Sequence, residues 1–279
     1  MLSSATREQI EELPEYVQNT NITVQHIEQG HVFDLEIHVY YEQEHASVRI
    51  VDTHTNIVQI EKNWQVIFED KTTSLELKAD HSALIMKQIW DFSQTVDIDD
   101  VKEILDRQIT CNMAIANEGI HNSYGANIGH VILNMDSDCV KTRAKAYAAA
   151  GSDARMNGCE LPVVINSGSG NQGITCCVPV VVYAKELDCT QEQLYRALVL
   201  SNLTAIYIKT GIGTLSAFCG AVSAGAAAGA GIAYLHNGTY KEIQHTIVNA
   251  LAILSGTICD GAKASCAAKI ASSIDAGIM

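Results

Sequence analysis

The sequence predicts an α+β protein: a small antiparallel β-rich part over residues 1–80, then a large all-helical domain over residues 81–279. Three observations carry this. In "VFDLEIHVY", Phe33, Leu35, Ile37 and Val39 alternate with Asp34, Glu36 and His38, the period-2 pattern of a half-buried strand. From about residue 82 the apolar spacing changes to three and four residues, as on one face of a helix. Three prolines occur in the chain and none in the last hundred residues, so helices there run without the commonest breaker.

Taken in order, a helix is expected around residues 5–18, ahead of the strands. "ASVRIVDTH", "TNIVQIEK" and "WQVIFED" continue the β-rich runs with polar breaks, which reads as an antiparallel meander. "ALIMKQIWDFSQT" and "DIDDVKEILDRQITCNMAIANEG" open the helical part. In the second, Asp97 is the expected N-cap, acidic residues fill the first turn, and Gly119 is the expected stop. Further helices are expected near 125–135, 139–156, 172–186, 190–208, 212–235, 240–255 and 264–276. The chain ends on "SSIDAGIM", as if cut inside a helix.

A net charge of −14 with no Lys/Arg-rich run excludes a nucleic-acid partner, because phosphate binding needs a clustered basic surface. The substrate is therefore expected to be small. "MLSSATREQIEELPEYV" has no apolar core of a signal peptide, and nine cysteines without one point to a reducing cytoplasm. Gly211 to Leu235 carries no charge over 25 residues, but its Ala, Gly and Ser content gives weak insertion energy. A helix buried on all sides fits better than a membrane span.

Candidate chemistry lies in four places. Asn166, Ser167, Gly168, Ser169, Gly170, Asn171, Gln172 and Gly173 form a glycine-rich segment between two apolar runs. Before a helix N-terminus its free N–H groups would take a carboxylate; equally, it is a connection that needs small residues. It lacks the Gly-Lys-Ser/Thr of a Walker A loop. In "GSDARMNGCELP", Arg155 is either one half of a surface ion pair with Asp153 or a carboxylate clamp, which its planar fork suits. His54 in "DTHTNIV" stands among hydrogen-bonding neighbours Thr53, Thr55 and Asn56. Among nine cysteines, Cys111, Cys139, Cys159, Cys176, Cys177 and Cys189 read as small buried hydrophobes. Cys219, Cys259 and Cys266 lie beside small residues that leave room for a bulky group. If "DGAK" forms a turn, Cys266 starts a new helix, whose dipole favours the thiolate. Spacing alone leaves inert core thiols open, and a zinc site would normally show a close C-x₂-C pair.

"GSDARM", "LPVVINSGSGNQGITCCVPVVVYA", "CGAV", "GTICDGAKASCAAK" and "HTNIV" together resemble the serine dehydratase α-chain-like family, in its branch of L-cysteine desulfidases and uncharacterised bacterial relatives. The resemblance runs from about residue 45 to the end. It implies a PLP-independent lyase with an oxygen-sensitive [4Fe–4S] cluster, eliminating a β-substituent from L-cysteine or L-serine to give pyruvate and ammonia. It puts the cluster ligands on Cys219, Cys259 and Cys266, separated by 40 and 7 positions. One iron is then left without a thiolate, an open Lewis-acid position for the leaving group. The Asn166–Gln172 segment and Arg155 would hold the carboxylate, with His54 near the opening.

Members of that family begin with a further segment holding a Cys-Thr-Glu-Pro motif, whose cysteine is thought to act as base. This chain has no such motif, and the family's C-terminal helices are also missing. It therefore reads as a truncated or split member, completed by a second copy, a complementary segment or another subunit. The alternative is a catalytically incomplete chain that binds a small amino acid or a partner; a structural zinc protein is the third reading.

Overall fold

The structure, a computed structural model, describes residues 6–28, 31, 33–52, 55–70, 81–213 and 216–279. It is α+β, and it divides into two compact units, Thr6–Asp80 and His81–Met279.

In the first unit, helix α1 (Arg7–Asn19) starts at a capping box between Thr6 and Gln9. Strands β1 (Asp34–Tyr41), β2 (Glu44–Val51), β3 (Ile57–Lys62) and β4 (Gln65–Glu69) form an antiparallel sheet in the order β1-β2-β3-β4. The β3–β4 turn is a two-residue hairpin, with φ of 48° at Asn63 and 67° at Trp64, the twist that adjoining strands favour. The meander is as expected, but the covered face is not. Leu35, Ile37 and Val39 are exposed, whereas His45 and Ser47, on the opposite face, are buried. Alternation decides which residues share a face; what covers that face is not written in the strand. On the buried face His38 Nδ1 and His45 Nε2 are 3.0 Å apart, Glu36 meets His38 Nε2 at 3.1 Å, and Trp64 stacks on His45. Arg49 donates twice to Asp34, at 3.0 and 2.7 Å.

The second unit holds α2 (Met86–Thr95), α3 (Ile98–His121), α4 (Ile128–Met135), α5 (Val140–Met156), α6 (Gly170–Glu186), α7 (Gln191–Ile212), α8 (Gly220–Leu235), α9 (Tyr240–Ile253) and α10 (Ser265–Ile278). Local signals explain most of the starts. Asp97 caps α3 by accepting from Asp99 N–H, and capping boxes Thr190/Gln193 and Thr239/Glu242 open α7 and α9. Helix α3 runs past Gly119 to His121. Pro179 lies inside α6, where neighbouring helices enclose the chain on all sides.

Helix α8 is the centre, with 12 of its 16 residues buried and α6, α7, α9 and α10 packed around it. Its small side chains let α10 approach until Gly225 and Gly229 face Ser273 and Gly277 at backbone distance. Among the described residues no helix is long and apolar enough to cross a membrane. The helix expected over 212–235 starts only at Gly220. The chain leaves α7 at Gly213, with φ of 83°, and Phe218 pairs with Ile258 in an isolated antiparallel bridge. That pairing joins segments forty residues apart in the sequence, and no local pattern announces it.

Candidate functional site

The glycine-rich segment is a tight hairpin leading into a helix. Asn166 and Ser169 exchange both backbone hydrogen bonds, at 3.1 and 3.0 Å, across Ser167 (φ 50°) and Gly168 (φ 79°). Positive φ at both central residues is what a type I′ turn needs. Ser169 then caps α6, accepting from Gln172 N–H at 3.5 Å. The first N–H groups of α6 thus face outward from its positive end.

Amides that the sequence reading did not single out, buried Gln108 and Asn112 and half-buried Asn202, hold the hairpin. Asn166 Nδ2 donates to Asn202 Oδ1 at 2.9 Å, and Asn202 exchanges hydrogen bonds with Gln108 at 2.9 and 2.8 Å. Asn112 accepts from Val164 N–H at 2.9 Å and donates to Val164 O at 3.2 Å. The available signal was an amide on the buried face of each helix, where an unpaired polar group is costly and a partner is implied.

Arg155, in the last turn of α5, lies against the start of α6. Its Nη1 donates to Asn171 Oδ1 at 3.4 Å, and its guanidinium occupies the space that a Cβ at Gly170 would fill. Among the described residues it meets no carboxylate. Burial pushes its pKa down, opposed by the Cys266 thiol nearby. The ion pair with Asp153 does not form. Asp153 is buried and faces the other way, its Oδ2 accepting from Ile128 N–H at 2.6 Å at the head of α4. Burial raises the Asp153 pKa. An α-helix sends residues two apart to opposite faces, which is why the pair separates.

Two of the three singled-out cysteines stand at helix starts and the third in the loop before α10. Cys219 is the N-cap of α8 and is buried; Cys266 is the second residue of α10 and half-buried; Cys259 is exposed. Cys219 N–H donates to Thr257 O at 3.1 Å and Cys259 N–H to Ala217 O at 2.7 Å, so the two occupy diagonal positions on one face of the Phe218–Ile258 bridge. Within "DGAK" the chain passes Gly261 at φ 94° and bends at Ala262–Lys263, and Cys266 opens the following helix as expected. Burial pushes the Cys219 thiol up, partly offset by the Ala221 N–H and by Lys269. Lys209, 9% exposed, makes no ion pair among the described residues; burial lowers its pKa, opposed by Cys259 and Cys219. Of the remaining cysteines, Cys176 and Cys177 are buried as expected, but Cys139 is exposed at the N-cap of α5.

The hairpin and the cysteines are neighbours. A Cβ at Gly220, the first residue of α8, would lie 2.6 Å from the Gln172 amide. Gln172 Oε1 is buried there without a hydrogen-bond partner. Three positive helix ends (α6, α8 and α10), two cations without carboxylate partners and three thiols thus share one region of the unit. Among the described residues no group of three or more His, Cys, Asp or Glu is close enough to hold a single metal ion. One zinc ion would need thiolates roughly 4 Å apart, given Zn–S bonds of about 2.3 Å. A cubane holds its thiolates further apart, because each binds a different iron. The soft thiol donors of Cys219, Cys259 and Cys266 fit such a group. His54 lies outside the described residues.

Fold and site together define an α+β protein whose helical unit brings Cys219, Cys259 and Cys266 into one region with the starts of α6, α8 and α10. The chain belongs to the serine dehydratase α-chain family, whose family model matches residues 8–279. It is 53% identical over 271 residues to a UPF0597 protein of Desulfitobacterium hafniense, covering 96% of this chain and 63% of that protein. UPF0597 proteins of Lachnoclostridium phytofermentans and Finegoldia magna are each 48% identical over 280 residues, covering all of this chain and 67% of theirs. The chain thus spans about two thirds of the length of these curated relatives. No solved structure matches it.

Proposed function

We propose that this chain carries the cluster-binding and carboxylate-binding part of a PLP-independent lyase that eliminates the β-substituent of L-cysteine or L-serine. The observation that supports this most is the meeting of three helix N-termini with Cys219, Cys259 and Cys266 and with Arg155 and Lys209, which meet no carboxylate among the described residues. Helix N-termini and cations together favour an anion. Cys219, Cys259 and Cys266 would hold a [4Fe–4S] cluster, which when bound supplies a Lewis acid for the substrate's thiol or hydroxyl.

The chain's own residues bind and orient. The substrate carboxylate lies at the start of α6, against the N–H groups of Gly170 and Asn171 and beside Arg155. Asn171 keeps the guanidinium in place, and the buried Gln172 carbonyl offers an acceptor to the substrate ammonium. Loss of the α-proton and the β-substituent gives aminoacrylate, and water converts it to pyruvate and ammonia. The complete reaction, His54's part in it and the cytoplasmic setting are assigned to the longer protein that the relatives represent.

Anaerobic reconstitution of the purified chain with iron and sulfide tests this. The expected result is bound iron with visible cluster absorption, then sulfide and pyruvate on adding L-cysteine. A cluster without turnover would favour the catalytically incomplete reading, with the base supplied from outside these 279 residues. No cluster at all would leave the three cysteines as core thiols and overturn the assignment.

A further inference from the structure

Lys269 stands three residues after Cys266 on α10, on the same face of the helix. Its ammonium donates to the Ile258 carbonyl at 3.1 Å and also to the Asp260 carboxylate. Ile258 and Asp260 are the residues on either side of Cys259. Lys263 meets the other oxygen of Asp260 at 3.1 Å. From the opposite side, the Cys259 N–H is fixed to Ala217 O and the Cys219 N–H to Thr257 O. One side chain therefore ties α10, which carries Cys266, to the hook that carries Cys259, and that hook is paired with the segment carrying Cys219.

We propose that Lys269, with Asp260, is a positioning residue that holds the Cys259 hook at a set separation from Cys266 and Cys219 before any cluster enters. The proposal rests on the ligand reading above for its purpose, though not for its geometry. A solvated ion pair of this kind contributes little to overall stability. Its leverage is local: Gly256 and Gly261, both with positive φ, leave the hook little stiffness of its own. Without Lys269, what remains among the described contacts is the short bridge to residues 217–219, the Lys263–Asp260 pair at one edge, the Thr257 bonds to Leu254 O, and a long Cys266 Sγ contact to Gly261 O at 3.8 Å. Ordering a loose ligand at the moment of binding opposes assembly, whereas a prearranged one does not.

The test compares the unsubstituted chain with Lys269→Met, Lys269→Arg and Asp260→Asn. Hydrogen exchange of the apo chain reads the hook, and anaerobic reconstitution reads iron content and visible absorption. In Lys269→Met the amides of Thr257 to Asp260 should exchange about tenfold faster, while those of α8 keep their rates. Its iron uptake should fall below about half. Lys269→Arg retains charge and two donors and should recover both readouts. Asp260→Asn leaves the bond to Ile258 and should fall between. Unchanged exchange in Lys269→Met would overturn the proposal, and so would faster exchange with full iron uptake. If the unsubstituted chain takes up no iron, the proposed function fails, and the exchange comparison still decides whether Lys269 holds the hook.

Discussion

At the scale of single residues, the decisive contrast is between Arg155 and Asp153, two positions apart on α5. Arg155 has a half-buried guanidinium whose hydrogen-bond partners among the described residues are the Asn171 amide oxygen and the Met156 sulfur. Asp153 has a settled structural task at the head of α4. Arg155→Met should therefore leave the fold intact but weaken the binding of L-serine or L-cysteine at least tenfold. That follows from losing a charged hydrogen bond of about 1.5–3 kcal/mol, and a ligand-induced shift in Tm would read it. An unchanged shift would assign Arg155 to packing. Asp153→Ala should instead destabilise the chain by about 1–3 kcal/mol, since it strands the Ile128 N–H in the interior. Asp153→Asn keeps an acceptor there and should recover most of that loss in denaturant unfolding. The sequence made Arg155 visible as a candidate because guanidinium geometry suits carboxylates. It could not show that the Asp153 pairing fails, because that depends on helix phase and on the position of α4. Lys209 passed unnoticed for a related reason: a lysine in a helix reads as a solvated face until the neighbours are known.

At the scale of elements, legibility follows how local the cause is. Helices α3, α7 and α9 were readable because their caps lie within four residues of the first turn. The separation of α7 from α8 was not, because it is set by the bridge between Phe218 and Ile258. The same central helix was expected to be buried on all sides, and its close approach to α10 is the reason it must be small. A methyl at Gly229 would meet the Gly277 carbonyl, a backbone group that can move only if α10 moves. Gly229→Ala should destabilise the helical unit by about 1–3 kcal/mol, the usual range for overpacking. Gly211, in the last turn of α7, has nothing near the position of a Cβ. Gly211→Ala should be neutral or stabilising by up to about 1 kcal/mol. Urea unfolding of the two variants separates close packing from helix propensity; equal effects would refute the packing account.

At the scale of the whole chain, burial is uneven. Among the described residues of Thr6–Asp80 the buried hydrophobic side chain is Val51, whereas the other unit's apolar core runs through every helix packed on α8. The sheet therefore leans more on polar contacts; among the described ion pairs of this unit the Arg49–Asp34 pair is the best shielded, with side-chain exposures of 27% and 15%. The hydrogen bond from Arg49 holds the Asp34 carboxyl below its ordinary value, outweighing the effect of burial. A carboxyl lowered on folding adds stability that is fully present above its unfolded pKa of about 3.9 and fades as pH falls through the lower folded value. Protection of β1 and β2 amides, corrected for intrinsic exchange, should thus decline as pH drops below about 4, before α8 loses protection. Asp34→Asn should lower strand protection at neutral pH by on the order of 1 kcal/mol and flatten this acid dependence. An acid slope that persists in Asp34→Asn would move the cause to another group on the same face, where Glu36 and His38 are the next charged contact.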